Sequence, residues 1–180
     1  MRPAHVSVGA TGPSNWVPID YLEAGFGIGY RCTAQEGASV TYKVQHGFLL
    51  GEPISLANLT RSSGTATATW RVGTDDYTAS VGLQTGDCVL MGGYGAPFDG
   101  VFTVTVASGT SFTFTVANSG PTSSTTGLCQ RVQVADDPIV VGATGSTEGN
   151  IAFPIWALRL NATAYVSGAV NMSIYQGIST

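Results

Sequence analysis

Polar and apolar positions alternate with period two along much of this chain, most clearly near its end. Between Ile151 and Gln176, Trp156, Leu158, Leu160, Ala162, Ala164 and Val166 share one parity, and Arg159, Asn161, Thr163 and Tyr165 the other. After Ser167-Gly168 the pattern resumes, with Val170, Met172 and Ile174 set against Asn171, Ser173 and Tyr175. Successive side chains of a strand point to opposite faces, so the pattern predicts two strands, each with one face on a core. Joined as a hairpin, they keep both apolar faces together with a three-residue loop, Val166-Ser167-Gly168. That register pairs Ala164 with Val170, Ala162 with Met172 and Leu160 with Ile174. Gly168 then takes the left-handed third loop position. The polar parities of the two strands are expected to form one outer face and a contact surface.

Upstream, Val40, Tyr42, Val44, His46 and Phe48 line the inner face of a strand that Gly51-Glu52-Pro53 ends, and this strand is the expected sheet partner of the final pair. Gly25 to Thr33 predicts a glycine-spaced strand, and Ile139 to Val141 a short one inside the loop from Asp136 to Asn150. Residues 1–18, broken by Pro3, Pro13 and Pro18, predict an edge or arm, extended over 1–15, with Trp16 and Val17 covering one end of the core. From Asn58 to Arg131 the chain is richer in Thr, Ser and Gly and carries its own short strands. These are Thr65 to Val72, Cys88 to Met91, a hairpin of Val101–Val106 with Phe112–Val116, and Leu128 to Val134 after a polar loop. The expected architecture is all-β: a jelly-roll-like antiparallel β-sandwich from residues 1–57 and 132–180, with a small β-domain, 58–131, inserted at a hairpin tip.

Composition narrows the picture. The 180 residues include 24 Gly, only 10% charged residues and a single lysine, Lys43. No window keeps a helical period beyond one turn, Ile19 to Ala24. A net charge of −4 with scattered basic residues argues against binding nucleic acid through its phosphates. No apolar run reaches the roughly 20 residues of a membrane span. Met1-Arg2-Pro3-Ala4-His5 lacks the apolar core of a signal peptide, so a soluble product with no membrane partner is expected. A lysine-poor, Tyr-bearing surface is compatible with burial in an assembly.

Candidate chemistry is sparse. Cys32, Cys88 and Cys129 form no metal spacing and are expected as buried thiols, a Cys88–Cys129 bridge being the alternative. His46 falls on an inward position and His5 in the arm, which does not make a zinc site. Asp75-Asp76 and Asp136-Asp137 lie outside the calcium-loop pattern and are expected as solvated turn residues. No Gly-x-Ser-x-Gly elbow occurs. Gly25-Phe26-Gly27-Ile28-Gly29 is followed by no helical pattern, so it does not read as a phosphate cradle. Without convergent titratable groups, no catalytic, cofactor-binding or metal-ligating residue is assigned, and a non-enzyme is expected.

Three segments carry a family likeness: Val17-Pro18-Ile19-Asp20-Tyr21, Val40-Thr41-Tyr42-Lys43-Val44-Gln45-His46, and Phe153-Pro154-Ile155-Trp156 through Tyr165. Together they resemble small virion proteins of tailed bacteriophages, over residues 16–50 and 149–177. In the middle, Leu59-Thr60-Arg61-Ser62, Gly82-Leu83-Gln84-Thr85-Gly86-Asp87-Cys88-Val89, Phe98-Asp99-Gly100-Val101-Phe102-Thr103-Val104 and Ser111-Phe112-Thr113-Phe114-Thr115-Val116 are similar to a small β-module inserted into many phage structural proteins. The chain departs from that module at Ser80-Val81, where a histidine usually precedes the Gly-Leu turn. The resemblance implies a structural virion protein, most concretely a capsid decoration or cement protein over junctions between capsid proteins, its insert projecting as a knob. It further implies the major capsid protein and copies of the chain itself, as a homotrimer, for partners, and a place on the capsid surface after synthesis in the host bacterial cytoplasm. In that setting the arm is expected to add a strand to a neighbour's sheet. The alternative is a tail-, collar- or fibre-associated protein that binds a host glycan through Trp70, Tyr77, Tyr94 and Phe98 of the insert.

Overall fold

The computed structural model describes residues 4–19, 27–70 and 83–176. Among them are fifteen strands and no helix, and every strand pairing with a defined register is antiparallel. The first seven are β1 (Ala4–Val8), β2 (Gly12–Pro13), β3 (Val17–Pro18), β4 (Ile28–Ala34), β5 (Ser39–Ile54), β6 (Leu56–Ser62) and β7 (Thr65–Trp70). The remaining eight are β8 (Cys88–Gly92), β9 (Gly100–Ala107), β10 (Ser111–Thr115), β11 (Ser123–Ser124), β12 (Leu128–Asp136), β13 (Thr147–Ile151), β14 (Ala157–Ser167) and β15 (Val170–Gln176).

The chain divides into two compact units, 1–48 with 134–180 and 49–133, against the 57/58 and 131/132 joins read from the sequence. Both joins fall inside a strand. β5 runs unbroken through Gly51-Glu52-Pro53 to Ile54, so that triplet does not end it.

In the base unit, one sheet has the order β1-β15-β4-β13. The other sets β14 between β5 on one side and β2 with β3 on the other. The core lies between these two sheets of a β-sandwich. Ile28, Tyr30, Cys32, Val170, Met172 and Ile174 enter it from the first, and Val40, Tyr42, Val44, Leu158, Leu160 and Ala162 from the second. Val40, Tyr42, Val44 and His46 are buried as expected and Phe48 packs against the same core, but Gln45, an outward position of the alternation, is buried as well.

The final strands do not form the expected hairpin. β14 pairs with β5, from Ala157 opposite Gly47 to Ser167 opposite Ser39, while β15 pairs with β4 and β1. The pair is an arch that crosses from one sheet to the other at Gly168. A hairpin would send both apolar faces toward a third layer, whereas the arch lets them bury each other. The turn between β4 and β5 crosses the same way, and the two arches touch: Gln35 N donates to Ala169 O at 3.0 Å, and Ser167 Oγ to Gly37 O at 3.4 Å. Gly168 is left-handed as expected (φ +80°).

The alternation of β14 also breaks within the strand. Ala162 pairs with Tyr42 but Ala164 with Thr41, leaving Thr163 as an extra residue, and a second irregularity lies between Tyr165 and Ser167. Such a bulge shifts the parity of every later residue in the strand. Tyr165 therefore packs against the core, and Val166 is 78% exposed, the reverse of their expected sides.

Two other expectations change. Ile139 to Val141 is not a strand: Asp137 Oδ1 accepts from Ile139 N at 2.8 Å and Asp137 O from Val140 N at 3.3 Å, turning the chain so that only Val140 is buried. Residues 4–18 are not a free arm. β1 is the edge strand beside β15, Ser14 N donates to Leu160 O at 2.8 Å, and Leu160 N to Ser14 Oγ at 3.1 Å.

The insert has the strand order β11-β6-β7-β10-β9-β8-β12 and its own core, built on Leu59, Ala66, Ala68, Val89, Met91, Phe98, Val104, Phe112 and Phe114. β9 and β10 form the expected hairpin. Arg61 holds the loop after β10: Nη1 donates to Asn118 Oδ1, Nη2 to Gly120 O at 2.8 Å and Nε to Pro121 O at 3.3 Å. Val72 and the Gly82 end of the turn before β8 lie outside the described residues.

Candidate functional site

Register fixes which outward residues stand together on the β1-β15-β4-β13 sheet. Ser173, Arg31 and Glu148 are abreast on β15, β4 and β13, and Tyr175, Gly29 and Asn150 are abreast in the next row. His5 of β1 extends the first row and meets Ser173 Oγ through Nδ1 at 3.0 Å. Adjacent strands lie about 4.8 Å apart, so the Tyr175 and Asn150 backbones flank Gly29 with roughly 10 Å between them. Because Gly29 has no side chain, this array is hollow at its centre. The hollow opens into a groove of about 590 Å³, walled by Arg31, Glu148, Asn150, Tyr175 and Ile139. Arg31 and Glu148 face each other in register yet form no ion pair among the described residues.

Tyr30 lies beneath the groove, 2% exposed, and also lines it. A side chain at Gly149 would overlap the Tyr30 ring, which accounts for glycine there. The Tyr30 hydroxyl is buried without a partner of hydrogen-bonding geometry, and burial together with the Asp137 carboxylate pushes its pKa far above the ordinary phenol range. Asp137 is itself buried, not the solvated turn residue expected, because its amide donates to Val44 O at 2.9 Å and draws it inward. Nearby, Tyr42 Oη donates to Gly145 O at 2.6 Å and lies 2.9 Å from Thr147 Oγ1. Cys32 beside them is pushed up to about 11 by burial. At neutral pH these groups are an uncharged thiol and two uncharged phenols, a structural network without a nucleophile.

The outer face of the other sheet is organised around Gln45. Its Nε2 donates to Asp136 Oδ1 at 2.7 Å, while Oε1 accepts from Arg159 Nε at 2.9 Å and Asn161 Nδ2 at 3.3 Å. Lys43 Nζ completes the chain at 2.8 Å from Asp136 Oδ2, and hydrogen bonds from Lys43 and Gln45 hold the Asp136 carboxyl below its usual range. The Arg159 guanidinium carbon sits 4.3 Å from the centre of the Trp16 ring, which lies 6.0 Å from that of Trp156. A cation over an indole is worth about 0.5–1 kcal/mol at exposed sites, and here it fastens the N-terminal segment to β14.

The expected single polar face is thus two faces. Arg159 and Asn161 lie on one sheet of the sandwich, Asn171, Ser173 and Tyr175 on the other, and Tyr165 points inward. The arch separates them.

His46 is 4% exposed, edge-on to Phe48 (5.2 Å) and Phe153 (5.5 Å), with Nδ1 unpartnered. Burial lowers its pKa, so it is a neutral packed residue. All three cysteines are free and buried. Cys88 is opposite Val132 and Cys129 opposite Met91, an offset of three residues or about 10 Å, beyond the roughly 7 Å a disulfide spans.

Two of the four insert aromatics considered for stacking are core residues, Tyr94 at 8% and Phe98 at 0% exposure. Gly127 leaves room for the Tyr94 ring, where a Cβ would overlap it. The Trp70 side chain, Tyr77, Asp75-Asp76 and Ser80-Val81 lie outside the described residues.

Comparison of the chain with protein-family models, curated proteins and solved structures finds no match. The groove residues Gly29, Arg31, Glu148 and Asn150 were not singled out from sequence as a binding set. The one signal was the Gly25-x-Gly27-x-Gly29 spacing, which register alone turns into a hollow.

Proposed function

We propose that the chain is a non-enzymatic structural protein of a bacteriophage particle, most concretely a decoration or cement protein bound over junctions between capsid proteins. The observation that carries this reading is the make-up of the base unit's two outer faces. One presents Trp16, Arg159 and Asn161 over the buried Gln45, the other Arg31, Asn171, Ser173 and Tyr175. Hydrogen-bonding side chains and aromatic rings, with lysine nearly absent, are the composition of surfaces that meet other proteins. The likeness of residues 16–50 and 149–177 to small virion proteins supplies the particle.

In this reading the base unit binds capsid subunits and further copies of itself as a homotrimer, and stabilises the shell by mass action. A partner that binds only the assembled lattice adds its binding free energy to lattice stability. Because residues 4–18 are bonded within their own unit, the contacts fall to the sheet faces rather than to a free arm. The test is to add the purified chain to shells assembled without it. Saturable binding at a fixed ratio to capsid protein, with a higher heat-rupture temperature, is expected; no binding and an unchanged rupture temperature contradict the proposal.

A further inference from the structure

We infer that the groove over β4, β13 and β15 is a binding site for a neutral saccharide. This goes beyond the structural role proposed above and does not rest on it. The first observation is Gly29. Its φ is not among the left-handed glycines, and a Cβ there would meet nothing closer than the Tyr175 carbonyl oxygen at 4.0 Å. Neither backbone conformation nor packing requires glycine at this position. What its missing side chain provides is the floor of the groove.

The second is the chemistry of the walls. Tyr175 is 48% exposed and Ile139 62%, giving the groove an aromatic ring and an aliphatic surface. Arg31, Glu148 and Asn150 supply donors and acceptors, and neither Arg31 nor Glu148 is consumed by an ion pair among the described residues. The guanidinium donates only, the carboxylate accepts only and the amide does both. Their formal charges cancel within the groove. An anion held at Arg31 would lie about one strand spacing from Glu148 and be repelled.

A sugar ring fits this combination, since each hydroxyl both donates and accepts while its C–H face packs on an aromatic or aliphatic surface. The groove volume lies within the roughly 300–1,000 Å³ of small-ligand sites. Because Arg31, Glu148, Asn150 and Tyr175 stand on paired strands, their arrangement is formed before the ligand arrives.

The experiment titrates the isotopically labelled full chain with neutral oligomers of glucose, galactose, mannose and N-acetylglucosamine, following backbone amides by NMR, with inorganic phosphate as the anionic comparison. The expected result is saturable shifts at Gly29, Glu148, Asn150 and Tyr175 with at least one neutral oligomer. Tyr175→Ala, Arg31→Gln and Gly29→Leu should each weaken binding by about tenfold or more while leaving the unfolding temperature at its wild-type value. The inference is overturned if no oligomer shifts these amides, if the shifts map elsewhere, if phosphate binds the groove in preference, or if folded variants bind as the parent does.

Discussion

Gly168 is where the arch between β14 and β15 can be tested by one substitution. Its φ of +80° is left-handed, and a Cβ there would stand 2.6 Å from Ala38 Cβ and 2.7 Å from Ala38 Cα. Gly168→Ala therefore meets two penalties. A left-handed non-glycine residue costs about 1–2 kcal/mol, and forcing a methyl into occupied space about 1–3 kcal/mol. The expected loss is about 2–5 kcal/mol, a large part of the ~5–15 kcal/mol that holds a typical domain together. Gly142, in the same unit, separates the terms: φ is +70°, but nothing lies within 4 Å of its added Cβ. Gly142→Ala should lose only about 1–2 kcal/mol.

Urea denaturation of the full chain, followed by tryptophan fluorescence with the slope checked for constancy, gives both numbers. A double-mutant cycle with Ala38→Gly should show coupling of about 1 kcal/mol, because it removes one of the two clashing atoms and leaves Cα. In a hairpin, Gly168 would sit at a solvated loop tip far from Ala38. Equal losses for Gly168→Ala and Gly142→Ala, with no coupling to Ala38, would refute the arch.

Three further outcomes rest on the same structure. His46 has a pKa below its ordinary value in the folded chain and about 6.5 when unfolded, so the unfolded state binds the extra proton first as pH falls. Its contribution is present above about pH 6.5 and declines below it; the urea midpoint of the wild type should fall more between pH 7 and 5 than that of His46→Leu, and parallel declines would remove His46 as the cause. Cys32 and Cys129, pushed up to about 11 and about 12 by burial, stay protonated at neutral pH. A thiol reagent should leave both untouched in the native chain and count all three cysteines in denaturant, whereas a denatured count of one would mean a disulfide. Val166→Lys should change stability by no more than about 0.5 kcal/mol, while Leu160→Ala loses about 2–5 kcal/mol; a large loss at Val166 would mean that the bulge at Thr163 does not exist.

Alternation along the sequence was enough to identify the buried apolar side chains of β5 from Val40 to Val44, those of β15, and Leu158, Leu160 and Ala162 of β14, but not the buried Gln45. It reports the parity of a strand, not its neighbours. An arch and a hairpin bury the same Leu158, Leu160, Val170, Met172 and Ile174, so pairing with β5 and with β4 lay beyond the pattern. One inserted residue at Thr163 reversed Tyr165 and Val166, and no local property of Thr163 announces it. Ile139 to Val141 has the exposed-buried-exposed rhythm of a strand because a turn held by Asp137 happens to bury Val140 alone.

The insert was visible as a shift toward Thr, Ser and Gly, but its joins were hidden inside β5 and β12, strands continuous through the boundary. The groove was the least visible feature. Its residues come from separate segments around Gly29, Ile139, Glu148 and Tyr175, and only cross-strand register sets them side by side.

The central claim, that the chain is a structural component of a phage shell, is tested most directly by its copy number per purified particle, measured by quantitative mass spectrometry against the major capsid protein. The proposal predicts copies in a fixed ratio to the capsid protein, spread over the whole shell. A few copies confined to one vertex, or none in the particle, would contradict it.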